Sequence, residues 1–184
     1  MNNKSSIPLA REYALKAHGG MMVTTISGFQ RPQILHLQEV ADLVWASGGT
    51  DDEIAAAWLH DIVEDTAITA EDLLNNFNSN ISEIVKGLTD LDEYSGLSLS
   101  ERKQKQAERL RNENESVRRV KIADQTSNIH SLIDPIGDMT LEEWDNYLEG
   151  ARLIAAECQG ISPLLDQIFL DTYNTGKELV RSRF

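Results

Sequence analysis

Three observations predict an all-α fold, a single-domain helical bundle. Apolar residues recur at intervals of three and four along nearly the whole chain, capping residues and glycines punctuate those runs, and no stretch sustains strand alternation. With 184 residues, no internal repeat and no low-complexity linker, one domain over 1–184 is expected, long enough to bury a substantial core.

The elements follow in order. Ile7, Ala10, Ala14 and Ala17, with Leu9 and Tyr13, predict a first helix over about 8–18, closed by Gly19 and Gly20. Residues 19–32 hold three glycines and a proline without a helical period and read as a loop. Ile34, Leu37, Val40, Ala41, Val44 and Trp45 mark a second helix with His36 in its first turn, stopped by Ser47-Gly48-Gly49. A third begins near Thr50 to Asp52, whose acids suit the positive end of a helix. Thr69 with Asp72 forms a capping box for a short helix through Phe77, and Asn80 is a candidate cap for the helix carrying Ile81, Ile84, Val85 and Leu88. Residues 90–100 read as a loop near a pocket, and Ser100 precedes a charged helix with little apolar content, expected to be largely a solvated face. Val117, Val120, Ile122, Ala123, Ile129 and Leu132 mark a buried segment that includes Asp124. Thr140 caps a helix over about 141–159, and Ser162-Pro163 opens the last one, cap followed by proline at the first helical position.

The third helix is the one that calls for chemistry. Ile54, Ala55, Ala56, Ala57, Trp58, Leu59, Ile62 and Val63 leave almost no polar face, and a helix apolar all round is normally buried. His60, Asp61, Glu64 and Asp65 are then a conspicuous cluster. Read as one continuous helix, His60 stacks under Glu64 and Asp61 under Asp65. Unpaired buried charge is very unfavourable, and a bound cation is the simplest compensation. The plainer alternative is a solvated helix end carrying surface acids.

Composition narrows the classes of function. Thirty acidic against 17 basic residues give a net charge of −13, which disfavours binding to nucleic acid or to an anionic membrane. Cys158 is the only cysteine, so no internal disulfide can form, as fits a reducing compartment. With no signal-peptide stretch at the start and no run of about 18 apolar residues, a cytoplasmic location is expected.

His36, His60, Asp61 and Asp124, from separate parts of the chain, are candidate ligands of one metal ion. Two imidazoles and two carboxylates suit manganese, iron, nickel or zinc better than calcium or magnesium. Each has a structural alternative taken singly, as a cap, a paired charge or a core histidine.

His60-Asp61 with His36 and with Asp124 in the run Lys121-Ile122-Ala123-Asp124 resembles the HD-domain metal-dependent phosphohydrolases. LHDIVEDT over 59–66, PQILH over 32–36 followed by Val40-Ala41, and Asn128 after KIAD resemble the hydrolase domain of the RelA/SpoT alarmone enzymes. Glu101-Arg102-Lys103 with Gln106, and Tyr147, are similar to the small stand-alone members of that group. The resemblance covers roughly residues 8–160. It implies an all-helical (p)ppGpp 3′-pyrophosphohydrolase that uses one divalent metal, Mn2+. It further implies His36, His60, Asp61 and Asp124 as metal ligands, Glu64 and Asp65 as the catalytic acidic pair, and Asn128, Tyr147 and Lys103 as substrate contacts. Glu64 is the first choice for the group that orients or deprotonates water.

This chain departs from the family where the family binds phosphate. Positions that usually carry basic residues hold Met22, Val23, Thr24, Gln125 and Glu143, a lysine common after Thr89-Asp90 is replaced by the acidic stretch at Asp92 and Glu93, and Gln33 stands for a tyrosine. Hydrolysis of the highly charged alarmone is therefore expected to be weak beside that of a less charged nucleotide or phosphate ester, with Arg102, Lys103 and Lys121 as partial replacements. Two readings follow: a phosphohydrolase acting on a small-molecule nucleotide or another phosphorylated metabolite, or a non-catalytic module that senses a nucleotide or binds a protein. Glu64 and Asp65 favour the enzyme, since a binding module has no need of a water-activating pair. The oligomeric state, homo-oligomer included, is open at this stage.

Overall fold

The structure, a computed structural model, describes residues 5–24, 28–133 and 140–183. Its helices are α1 (Ile7–Ala17), α2 (Gln33–Ala46), α3 (Asp51–Leu59), α4 (Ile62–Asp65), α5 (Ala70–Asn76), α6 (Ser79–Leu88), α7 (Leu99–Leu110), α8 (Glu115–Ile133), α9 (Leu141–Cys158) and α10 (Pro163–Arg183). A two-stranded antiparallel ribbon, β1 (Met22–Thr24) with β2 (Gln30–Pro32), lies between α1 and α2.

α8 is the helix around which the bundle closes. Residues 122–127 are buried without interruption, so every face of this stretch meets protein, and α2, α3, α6, α9 and α10 all pack against it. Four of those six are polar: Asp124, Gln125, Thr126 and Ser127. Buried polar groups require partners, so the middle of α8 is a place where structure and site must be solved together. The surrounding core is aliphatic, with Leu37, Leu59, Ile62, Ile129 and Leu132 almost wholly buried alongside Trp144. Each such side chain contributes about 1.5–3 kcal/mol of transfer free energy.

The all-α expectation is met, and four local details differ from it. The loop expected over 19–32 contains the ribbon, in register Met22↔Pro32, Val23↔Arg31 and Thr24↔Gln30. Three-residue strands are too short to show alternation, which is why periodicity missed them. The helix expected to run unbroken through Asp65 breaks at His60 and Asp61, between α3 and α4. The His60 imidazole donates to the Ala57 carbonyl at 2.8 Å, occupying the acceptor that a continuous helix would offer to the Asp61 amide. Asn78 rather than Asn80 caps α6, accepting from the Ile81 amide, while Asn80 donates to Asp52. Ser98 caps α7 in a box with Glu101, so this helix begins at Leu99, within the loop expected over 90–100.

Candidate metal centre and its cavity

Three segments supply the floor of the site. α2 brings His36, the α3–α4 break brings His60 and Asp61, and α8 brings Asp124. One donor atom each from His36, His60 and Asp124 lie within 4.8 Å of one another, and all three residues are buried. His36 Nε2 stands 3.2 Å from His60 Nε2, 3.4 Å from Asp124 Oδ1 and 3.6 Å from Asp61 Oδ2. Asp61 adjoins this cluster. Its Oδ1 is 3.2 Å from His60 Nε2, while its Oδ2 accepts from Gln33 Nε2 at 2.6 Å.

Hydrogen-bond accounting fixes what these atoms offer. The Ala57 carbonyl can only accept, so His60 Nδ1 carries the hydrogen. Ser127 has one hydroxyl hydrogen and gives it to Glu39 Oε2 at 2.5 Å, so its oxygen accepts from His36 Nδ1 at 2.9 Å. In the neutral rings both Nε2 atoms then turn lone pairs toward each other and toward two carboxylates. That arrangement demands positive charge between them. The His36 pKa reports the same demand: burial alone would lower it, but the bond to Asp124 and the charges of Asp61 and Asp124 outweigh burial and raise it. A metal ion meets the demand equally well. Two donors about 2.1 Å from one ion stand about 3.0–3.4 Å apart at ordinary coordination angles, which the 3.2 Å between the imidazoles fits.

Asp124 is the most heavily partnered acid. Burial would raise its pKa, but Lys121, whose Nζ lies 3.0 Å from Oδ2, together with His36 and His60 holds it well below the carboxylate range. Asn128 donates to its Oδ1 at 2.6 Å and Gln125 to its Oδ2 at 3.0 Å. Glu64 behaves oppositely. Burial raises its pKa to about 7, only partly offset by the Asp90 amide, which donates to Oε1 at 2.7 Å, and by the Lys121 charge.

A cavity of about 400 Å³ opens above this floor, lined by His36, Asp61, Glu64, Asp65, Asp124 and Asn128 among others. Lys103, on the otherwise charged and solvated α7, is only 5% exposed. Its Nζ donates to Gln125 at 2.7 Å and lies 4.4 Å over the Tyr147 ring. Burial pushes its pKa down to about 7. Gly150 on α9 makes room for it, since a Cβ there would stand 2.3 Å from Lys103 Cδ. The structure thus brings every sequence-proposed site residue to one place, with His60 in the floor cluster but off the cavity lining and the others lining the cavity. It adds some that the sequence had not placed in the site. Arg31 and Gln33 line the wall, and Gln33 Nε2 reaches Asp65 Oδ2 at 3.2 Å as well as Asp61. His18, almost fully buried, points Nε2 at Asp65 Oδ2 from 3.6 Å, with no hydrogen-bond partner for that nitrogen among the described residues. The signal for Arg31 and Gln33 was their place on either side of Pro32, just before His36.

A helical frame that buries two imidazoles and one aspartate, with a second, half-buried aspartate and a perturbed glutamate beside them, defines a metal-dependent hydrolase of the HD type. The HD domain model matches residues 10–142. The chain belongs to the HD-domain family, and within it to the group of the guanosine-3′,5′-bis(diphosphate) 3′-pyrophosphohydrolases. One relative of that name, MESH1 of Danio rerio, is 34% identical over 151 residues, covering 76% of this chain and 80% of that protein. A Vibrio cholerae protein of the same name is 35% identical over 125 residues, 65% of this chain, and a GTP pyrophosphokinase of Myxococcus xanthus is 33% identical over 132 residues, 68% of this chain. The chain spans only 17% of the length of each of these two longer proteins. In fold it is similar to a metazoan SpoT ortholog described as hydrolysing ppGpp, with a TM-score of 0.79 and 22% identity, covering 100% of this chain and 98% of the other. A Listeria monocytogenes protein, lmo0812, matches with a TM-score of 0.64 at 23% identity, over 79% of this chain and 99% of its own.

Proposed function

We propose that this protein is a metal-dependent 3′-pyrophosphohydrolase of guanosine bis(diphosphate)-type nucleotides, working in the cytoplasm. The observation that carries the reading is the placement of Glu64, with its raised pKa, on the wall of the same cavity as the His36, His60 and Asp124 cluster. His36, His60, Asp124 and Asp61 would hold one divalent ion, manganese by family resemblance. When bound, such an ion lowers the pKa of water and polarises a phosphoryl oxygen.

The remaining steps belong to the chain's own residues. The Asp90 amide fixes one oxygen of Glu64, and the carboxylate, ionised above about pH 7, takes the proton of the attacking water. Water attacks the phosphorus bonded to the ribose 3′-oxygen, the P–O bond to that oxygen breaks, and the departing oxygen takes up the proton that Glu64 removed from the water, so that pyrophosphate and a 3′-hydroxyl result. Gln33 holds Asp65 and Asp61 in one frame. Lys103 offers a cation over Tyr147, and Asn128 stands one turn from Asp124 to contact ribose or phosphate oxygens.

Arg31, Arg102, Lys103 and Lys121 line the cavity and replace cations that the sequence lacks at the family's usual positions. A second reading, a less charged phosphorylated metabolite as substrate, is favoured by one observation. Each of these cations already faces a partner: Arg31 faces Glu39, Arg102 Asp90, Lys103 Gln125 and Lys121 Asp124, while five carboxylates share the wall. A panel of nucleotides and phosphate esters, including ppGpp, given to manganese-loaded protein decides between them. Pyrophosphate released from ppGpp supports the first reading; turnover of singly phosphorylated compounds alone supports the second; no turnover of any member overturns both.

A further inference from the structure

His36 is joined to the last helix by a continuous chain of hydrogen bonds that runs away from the cavity. Its Nδ1 lies 2.9 Å from Ser127 Oγ, Ser127 donates to Glu39 Oε2 at 2.5 Å, and His130 Nδ1 donates to Glu39 Oε1 at 2.5 Å. On its far side His130 Nε2 lies 3.0 Å from Thr172 Oγ1 of α10. Both oxygens of Glu39 are thereby taken, while its approach to Arg31, at 3.9 Å, is loose. Ser127 is fully buried between α2 and the rest of α8.

A serine hydroxyl is ambidextrous, because it can accept from an imidazole N–H or donate to an imidazole nitrogen. Which it does decides the tautomer of His36. With Glu39 beneath it, the hydroxyl hydrogen is drawn to the carboxylate, so the imidazole must present Nδ1–H to Ser127 and a lone pair at Nε2. Without Glu39, the hydroxyl can rotate and donate to Nδ1, and the ring hydrogen moves to Nε2, where it points into the cluster. We propose that Glu39 is a positioning residue for the metal centre: through Ser127 it fixes His36 with the Nε2 lone pair toward the ion, and His130, tied to Thr172, holds Glu39 in place. α10 supplies no residue to the cavity wall and yet takes part in shaping the centre. The inference rests on His36 being a ligand. Outer partners of metal-bound histidines typically contribute ten- to a hundredfold to metal affinity.

The test is Mn2+ affinity, measured by chelator competition on the full chain and on Glu39→Ala, Ser127→Ala, Glu39→Gln, Thr172→Val and His36→Ala. Glu39→Ala and Ser127→Ala are expected to weaken binding about ten- to a hundredfold. Glu39→Gln, whose amide oxygen still accepts the Ser127 hydrogen, is expected to restore most of it, and Thr172→Val to lose less than Glu39→Ala. Affinities within twofold of the parent for both Glu39→Ala and Ser127→Ala, while His36→Ala loses the metal, would overturn the positioning role and leave the ligand assignment standing. Full affinity in His36→Ala would overturn both together. Nitrogen NMR of histidine-labelled, zinc-loaded parent protein gives a readout that needs no variant to fold. His36 is expected to show Nδ1 protonated and Nε2 coordinated, and the reverse pattern would sink the proposal.

Discussion

Two regions of the same cavity are held in different ways. On the floor, His36 is tied to Ser127 on the side away from the cluster, Asp124 to Lys121, Gln125 and Asn128 at 2.6–3.0 Å, and His60 to its own helix backbone. On the wall, Arg31 and Arg102 meet their acids only at 3.9 and 4.0 Å, and the β1–β2 ribbon that carries Arg31 is three residues long on each strand. The floor is over-determined, whereas these two arginines of the wall are lightly held. Chemistry needs its groups fixed before substrate arrives, whereas recognition of a charged ligand can recruit side chains whose partners are weak. Lys103 contrasts with the two arginines: buried, set over the Tyr147 ring and accommodated by Gly150, it is built as firmly as the floor.

The sharpest break would come from the floor. Asp61→Asn, or His60→Ala, is expected to abolish metal retention, read by metal analysis after dialysis. A full equivalent kept by both variants would remove these residues from the ligand set. Glu64→Gln comes next: it should retain metal and fold while turnover falls by about 10²–10⁴. The pH profile sharpens that test. The pKa of Glu64 is raised to about 7, so its ionised fraction grows as pH rises through 7. The parent rate should climb through neutrality and level off above it, and Glu64→Gln should lose that limb. A parent rate that falls from pH 6 to 8 would exclude Glu64 as the base.

Effects on the wall should be smaller and should appear in KM rather than kcat. Losing one charge-assisted hydrogen bond removes about 1.5–3 kcal/mol, so Lys103→Met should raise KM for a phosphorylated substrate about ten- to a hundredfold. An unchanged KM would show that Lys103 is a core cation and not a substrate contact. The least disruptive change is Gly150→Ala. Its Cβ would meet the Lys103 stem at 2.3 and 3.0 Å, and overpacking costs about 1–3 kcal/mol against about 1 kcal/mol gained in helix propensity. A lower melting temperature with a few-fold rise in KM is expected. A gain in stability would mean that Lys103 moves aside without loss.

Legibility in the sequence followed the same division. His60-Asp61, Glu64-Asp65 and the KIAD run lie on or next to long periodic helices, where apolar spacing places each residue without knowledge of the rest of the chain. The break between α3 and α4 was invisible because it depends on one imidazole competing for the Ala57 carbonyl, and periodicity carries no such information. Ser98 and Asn78 were missed as caps for a similar reason: several capping residues stood within two positions of each other, and tertiary packing selected among them.

What the sequence determined by itself is the all-helical class, the order of the main helices and the candidate metal and acid residues. The helices rest on local regularities of three to five residues, whereas the roles of the metal and acid residues were implied by the resemblance of runs such as LHDIVEDT and KIAD to a known family. Only the tertiary structure decided that Arg31, Gln33 and His18 face the centre, that Lys103 is buried, and that Glu39 and His130 stand behind His36. Those contacts join residues up to 91 positions apart, as between Glu39 and His130. They exist because α2, α8 and α10 are packed side by side in one core, where a buried polar group must find whichever partner the packing brings within reach.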